Sequence, residues 1–390
     1  MRQLDLSAFE AAVTSENLAV RGMRVFQAGQ LIAYYQPEPE QRQNQYSGTK
    51  SFTSTACAFA AQEGLFSMDD YVLDHFAEDA PENPSENLKK MKLRHLITMS
   101  MGFESPMLMG AMRPKMVEKD WVKFVLKAPV VHEPGSVFQY NNAGPYLLGI
   151  LVQRKTGMSL VDYLMPRLFE PLGISRPECE KDPLGNTFGA GGLQLNVSEF
   201  AKLGLLYLQK GQWNGKQLIS EEWIDHALGY TDPLDPVDGL QYNFHWDHAG
   251  DIWAARGMFG QTCGLVPALD MVFAVTAADS GYQAMKLFQK EVIDPVKEND
   301  GRLITDGTMD DVLKQKALRM TLEGKNCSVP GHKEILRKMT WTPENHVDGI
   351  RKIELCPAEG KNLIYRMEDD RGVHEIHAGL DHWIHGTMTM

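Results

Sequence analysis

Two hydrophobic periods divide this chain, and the order in which they occur limits the folds open to it. GMRVFQAGQLIAYY (22–35) alternates as two β-runs joined across Ala28-Gly29-Gln30. From Ser47 to about Leu208 the apolar residues recur at helical spacing instead, most clearly in SLVDYLMPRLFEPLGI (159–174) and SEFAKLGLLYLQKG (198–211). Strand-like text then returns at YNFHW (242–246), IWAARGMFG (252–260) and DMVFAVTAA (270–278), followed by a helical GYQAMKLFQKEVI (281–293). Strands at both ends of a helical block predict an α+β fold. Its antiparallel sheet is assembled from the N-terminal hairpin and the late strands, with a helix from each end (Leu4 to Val13 and 281–293) lying on it.

Past residue 298 the character changes again. Charged helical text (307–322) leads into short strands, IRKIEL, NLIYRME, GVHEIHAG and HWIHGTMTM, separated by AEGK and DDRG turns, which predicts a small β-meander. The expected organisation is therefore a domain over 1–297, with its sheet part about 1–40 and 242–297 and its helical part about 41–241, and an extension over 298–390. The last segment stops inside a strand-like run, so the natural parent is expected to be longer.

Composition excludes several classes of function. The formal charge is −12 and no Lys/Arg-rich run occurs, which argues against nucleic acid or an anionic membrane as the principal partner. The N-terminus is acidic where an export signal is basic and has no unbroken apolar core, so the expected location is cytoplasmic. Five cysteines (Cys57, Cys179, Cys263, Cys327, Cys356) are scattered without Cys-x-x-Cys spacing, suggesting neither a disulfide framework nor a zinc cage. Neither G-x-S-x-G nor H-E-x-x-H occurs, which removes the α/β-hydrolase and zincin readings.

The chemistry begins at YSGTKSFTSTACAFAAQEG (46–64), where Ser47 and Lys50 stand three apart at the start of a predicted helix with Phe52, Ala56, Phe59 and Ala60 as its apolar stripe and Gly64 as its stop. Residues i and i+3 share a helix face, so the two side chains can touch. A serine hydroxyl becomes a nucleophile when a neighbour takes its proton, and a lysine does so if burial keeps it neutral. A chance match with a solvated lysine is the alternative. FQYNNAGPYLLGILVQRKTG (138–157) places Tyr140 and Asn142 in a loop before an apolar helix. Such residues serve turns and caps, or else a phenol passes protons and an amide holds a substrate carbonyl. Gly257, in the strand 252–260, admits a close backbone approach or marks a bulge.

Taken jointly, the order of these elements resembles the serine β-lactamase and penicillin-recognising superfamily, whose three motifs run in that sequence. LRHLITMSMGF (93–103), EPGSVFQYNNAGPYLLG (133–149), FEPLGI (169–174), GAGGLQ (189–194) and GQWNGKQLISEEW (211–223) look like connecting text of its class C-like branch, which includes esterases, D-aminopeptidases and nylon-oligomer hydrolases. The likeness covers residues 1 to about 297 and implies a three-layer α/β/α fold. It also implies roles: Ser47 as acylated nucleophile, Lys50 as its base, Tyr140 as proton relay, Asn142 as substrate-orienting amide, and the amides of Ser47 and Met258 as the oxyanion hole. No metal or organic cofactor is implied.

One departure bears on the substrate. Where the family's third motif commonly begins with Lys or His, this chain reads Ala255-Arg256-Gly257. Strand alternation puts Ala255 and Gly257 on one face and Arg256 on the other. An alanine then faces the cleft where β-lactam and peptidoglycan readers keep a cation, so a small ester or amide lacking a carboxylate is the expected substrate. A β-lactamase or D-amino-acid peptidase, and a sensor that acylates without turnover, are the alternatives. The methionine-rich loop 100–116 (Met101, Met107, Met109, Met112, Met116) is either core filler or an apolar lid, and His374, His377, Asp381, His382 and His385 are surface and strand-packing residues in preference to metal ligands.

Overall fold

The structure is a computed structural model that describes residues 4–37, 39–229, 241–299, 301, 303, 338–342, 350–358, 362–370 and 372–379. They fall into two compact units, Met1–Leu313 and Lys314–Met390.

The first unit opens with α1 (Ser7–Ser15) and the hairpin β1 (Val20–Gln27) and β2 (Gln30–Tyr35). After the helical block come β3 (Gln241–Asn243), β4 (Trp246–Ala249), β5 (Ile252–Gly257), β6 (Gln261–Val266) and β7 (Met271–Ala277). Together the strands form one seven-stranded sheet in the order β2-β1-β7-β6-β5-β4-β3, antiparallel at every pairing. The N-terminal hairpin joins it through β1 on β7, so strands from both ends of the unit share one sheet as expected.

Two details differ from the sequence reading. YNFHW is not one strand: Phe244 and His245 take φ of 45° and 64° and turn the chain between β3 and β4. The text QTCGLV, read as no strand, is β6, buried along its whole length. Its Gly264 accounts for the weak signal and is required by packing, because a Cβ there would lie 2.2 Å from the Phe273 ring.

The helical block is built on α2 (Thr49–Gln62), α3 (Ala143–Thr156) and α4 (Val197–Leu208). Asn196 and Glu199 start α4 with a reciprocal capping box, each side chain bonding the other's backbone amide at 2.7 and 3.0 Å. The expected stripe of α2 is buried, but so is every other residue from Thr49 to Ala60, because α3 and β5 both pack against this helix. Along β5, Trp253 and Ala255 enter the core shared with α2, α3 and α4. Ile252 and Ala254 enter a second core under α1 and the helices Gln283–Phe288 (α5) and Asp294–Glu298 (α6). The sheet is therefore the middle layer of three.

The second unit contains one antiparallel sheet of β8 (Met339–Trp341), β9 (Lys352–Ala358), β10 (Asn362–Asp369) and β11 (Gly372–Gly379), paired in that order. β8 carries no sequence signal of its own, while the helix expected over 307–322 and the strand over 382–390 lie outside the described residues. No helix among the described residues is long and apolar enough to cross a membrane.

Candidate active site

Ser47 sits in a 3-10 turn, Tyr46–Gly48, one step ahead of α2 and not within it. The lysine three residues on still reaches it, with Lys50 Nζ 2.8 Å from Ser47 Oγ. A second contact fixes the amine: Nζ donates to the Ala190 carbonyl at 2.7 Å. Thr49 and Thr53 hold that carbonyl's segment in place, since Thr49 Oγ1 accepts from the Leu193 amide at 3.1 Å and Thr53 Oγ1 donates to the Gly189 carbonyl at 2.6 Å. Lys50 is 1% exposed. Burial brings its pKa down from 10.5 to about 7, with Asp247 opposing the fall and Arg113 adding to it. The neutral amine is therefore accessible beside the hydroxyl near neutral pH.

Tyr140 closes the group. Its ring stands beside Lys50, whose Nζ lies 5.1 Å from the ring centroid, and its hydroxyl is close enough to Ser47 to be influenced by it electrostatically. Burial raises the phenol's pKa, an effect the neighbouring Ser47 partly offsets. The phenol thus stays protonated near neutral pH. Asn142 caps α3 nearby, but its Nδ2 donates to the Leu108 carbonyl at 2.9 Å while Oδ1 is buried without a hydrogen-bond partner. Asn141, which sequence reasoning passed over, does the structural work. Its Oδ1 accepts from the amides of Met107 and Ala143, each at 3.0 Å, and so ties the methionine-rich loop to the start of α3. Met101 and Met107 of that loop are buried, whereas Met109, Met112 and Met116 are half-buried.

The end of β5 meets the Ser47 turn. A Cβ on Gly257 would lie 2.0 Å from the Gln45 carbonyl oxygen and 3.2 Å from the Gly48 nitrogen, so only glycine lets Met258 follow at this distance. Replacing Gly257 with Ala is expected to push the two segments apart, lowering ester turnover on the order of 10²-fold, as losing one oxyanion donor does, and lowering Tm. Wild-type rates from that variant would contradict the placement.

Ala255 is buried against the helical layer, while Arg256 donates from Nε to Asp247 at 2.7 Å, holds its guanidinium over the Tyr282 ring at 5.2 Å and acts electrostatically on Tyr140. Asp247 is a further residue the sequence did not single out, because it comes near Lys50 only through the pairing of β4 with β5. Its carboxylate holds the Lys50 pKa up. Asp247→Asn is therefore expected to move the acid limb of the pH–rate profile to lower pH, read from kcat/KM across pH 5 to 9. An upward shift would contradict it.

Below this group lies a buried pair, His245 Nδ1 with the Tyr242 hydroxyl at 3.0 Å, and the Tyr242 ring meets Tyr140 edge to face at 6.1 Å. Burial, with a contribution from Lys50, keeps His245 well below its ordinary pKa and hence neutral. A separate cavity of about 600 Å³, lined by Ala58, Arg94, His95, Trp223 and Phe244 among others, opens further along α2 and contains none of Ser47, Lys50 and Tyr140. Among the described residues no three His, Cys, Asp or Glu side chains gather as metal ligands; His374 contacts Asp369 at 2.8 Å, and Asp381, His382 and His385 lie outside the described residues. Cys57, Cys179, Cys263 and Cys356 are free thiols.

With this geometry in hand, comparison with known proteins is decisive at the level of family. A family model described as Beta-lactamase matches residues 11–293. The chain belongs to the beta-lactamase family. Among curated proteins it is similar to Protein flp of Staphylococcus aureus (strain MW2), 25% identical over 154 residues, covering 39% of this chain and 31% of that protein. It is also similar to monacolin J acid methylbutanoyltransferase of Aspergillus terreus, 29% identical over 148 residues, covering 33% of this chain and 36% of that protein. The chain thus spans about a third of the length of these relatives. Three solved structures share the fold of this beta-lactamase family member. The octameric penicillin-binding protein homologue from Pyrococcus abyssi has a TM-score of 0.60 at 19% identity, covering 96% of this chain and 90% of that one. A penicillin binding protein from Bacillus halodurans has a TM-score of 0.60 at 18% identity, covering 74% and 99%. EstCE1, described as a hydrolase with promiscuous acyltransferase activity, has a TM-score of 0.58 at 12% identity, covering 73% and 96%.

Proposed function

We propose that this beta-lactamase family hydrolase cleaves a small, uncharged ester or amide through an acyl-enzyme on Ser47. The observation that carries the reading is the 2.8 Å contact between Ser47 Oγ and a buried lysine whose pKa is near 7. The neutral amine of Lys50 accepts the Ser47 proton as Oγ attacks the substrate carbonyl carbon. The carbonyl oxygen takes up the negative charge at the amides of Ser47 and Met258, with fixed dipoles stabilising it at little reorganisation cost. Tyr140 passes a proton to the departing alkoxide or amine, and Asn142, its Nδ2 committed to Leu108, has only its unpartnered Oδ1 to offer a substrate. Water then attacks the acyl carbon, giving up its proton to the same groups, and the acid leaves as Ser47 regains its hydrogen.

The substrate class follows from charge. Arg256 is neutralised by its ion pair with Asp247 and Ala255 brings no cation, which favours substrates without a carboxylate. The names of EstCE1, a hydrolase with promiscuous acyltransferase activity, and of the methylbutanoyltransferase support acyl transfer as the chemistry. The proposed setting is the cytoplasm, with a small molecule and neither nucleic acid nor membrane as partner.

A p-nitrophenyl ester and a chromogenic cephalosporin assayed in parallel separate the readings. Turnover of the ester alone is expected. Preferential cephalosporin hydrolysis would replace this reading with a β-lactamase, and a stoichiometric burst without turnover would replace it with a sensor.

A further inference from the structure

Each of the two amides assigned to the oxyanion has an aromatic neighbour in the chain: Tyr46 precedes Ser47, and Phe259 follows Met258. Both aromatics hold left-handed backbone angles, with φ of 45° and 62°. Bulky residues adopt that conformation only where the surrounding fold compels it, and such strain gathers at working sites. The two rings meet edge to face, with centroids 5.1 Å apart and planes at 67°. If the pair served only to pin two loops together, burial would stabilise it further. Instead Phe259 is 51% exposed and Met258 beside it 49%. An apolar surface is thus held open on the ring that packs against Tyr46, the residue before the nucleophile. The cations nearby do not make it hostile to an apolar ligand: Arg256 is bonded to Asp247, and Arg113 to Glu180.

We propose that Phe259, backed by Tyr46 and flanked by Met258, is the specificity-determining surface for the acyl group, selecting uncharged esters whose acyl part carries an apolar group about the size of a phenyl ring. The inference rests on Ser47 being the acylated nucleophile. In the acyl-enzyme the carbonyl oxygen lies at the Ser47 and Met258 amides, so the carbonyl carbon sits between the two segments that bear these rings. The leaving group has departed by then, and the group still attached to that carbon runs along Phe259. Contact of one face of the ring with a phenyl-sized group is worth about as much as one or two methylenes in a specificity pocket, roughly 10- to 100-fold in kcat/KM.

Comparing p-nitrophenyl acetate with p-nitrophenyl phenylacetate isolates the acyl group, because both release the same phenol. The wild-type protein is expected to prefer the phenylacetyl ester by roughly tenfold or more in kcat/KM, Phe259→Ser to reduce that ratio at least about fivefold, and Phe259→Tyr to retain it. Labelling of Ser47 by a fluorophosphonate in each variant reports that the nucleophile is intact. An unchanged ratio in a normally labelled Phe259→Ser protein overturns this assignment and leaves the hydrolase reading standing. Failure of the wild-type protein to turn over either ester overturns both.

Discussion

Ser47→Ala is expected to fold normally and to lose more than about 10³-fold in kcat, the order of loss that follows removal of a covalent nucleophile. Folding should survive because Ser47 lies in a short turn and its neighbours keep other support: Lys50 still donates to Ala190, and Tyr140 still packs against Tyr242. Activity should not, because no second hydroxyl can replace it. Ser51, one helical turn beyond, spends its proton on the His245 carbonyl at 2.6 Å. Undiminished turnover with a chromogenic ester would reject the assignment.

The second large effect concerns the charge on Lys50. Below pH 7 the amine is increasingly protonated and cannot accept the Ser47 proton, so kcat/KM should fall about tenfold per pH unit on the acid side and level off above pH 7. The sign follows from the cause: desolvation penalises the ammonium, lowering the pKa, and the active form is the deprotonated one. Lys50→Arg makes the charge permanent and is expected to remove at least about 10³-fold of activity at every pH. Because a larger buried cation can itself destabilise the fold, Lys50→Met provides the uncharged counterpart. It should fold, as measured by thermal denaturation, and be equally inactive. Activity in either variant within tenfold of wild type would show that another group takes the proton.

Those residues were legible in the sequence for a simple reason. Ser47 and Lys50 are separated by one helical turn, and Tyr140 and Asn142 by one residue, so local spacing records their relation. The N-terminal hairpin was legible through alternation, its partner β7 as a short run of strand-forming apolar residues, and α4 through its apolar face. What was hidden depends on contacts between distant segments. Asp247 comes near Lys50 through strand pairing, Ala190 supplies its carbonyl from a glycine-rich loop, and the turn at Phe244 and His245 interrupts text that reads as one strand. β6 was missed because Gly264 weakens its pattern, a glycine demanded by Phe273 on the neighbouring strand. Asn142 shows the limit of a motif. Its position at the head of α3 was clear, but its amide nitrogen is committed to Leu108, a partner no spacing announces.

The most direct test is intact-mass spectrometry after exposure to a fluorophosphonate, followed by peptide mapping. One adduct per chain, located on Ser47, and forming faster as pH rises through about 7, is the outcome predicted for a hydroxyl activated by a neutral amine. No adduct, or one mapped to another residue, would contradict it.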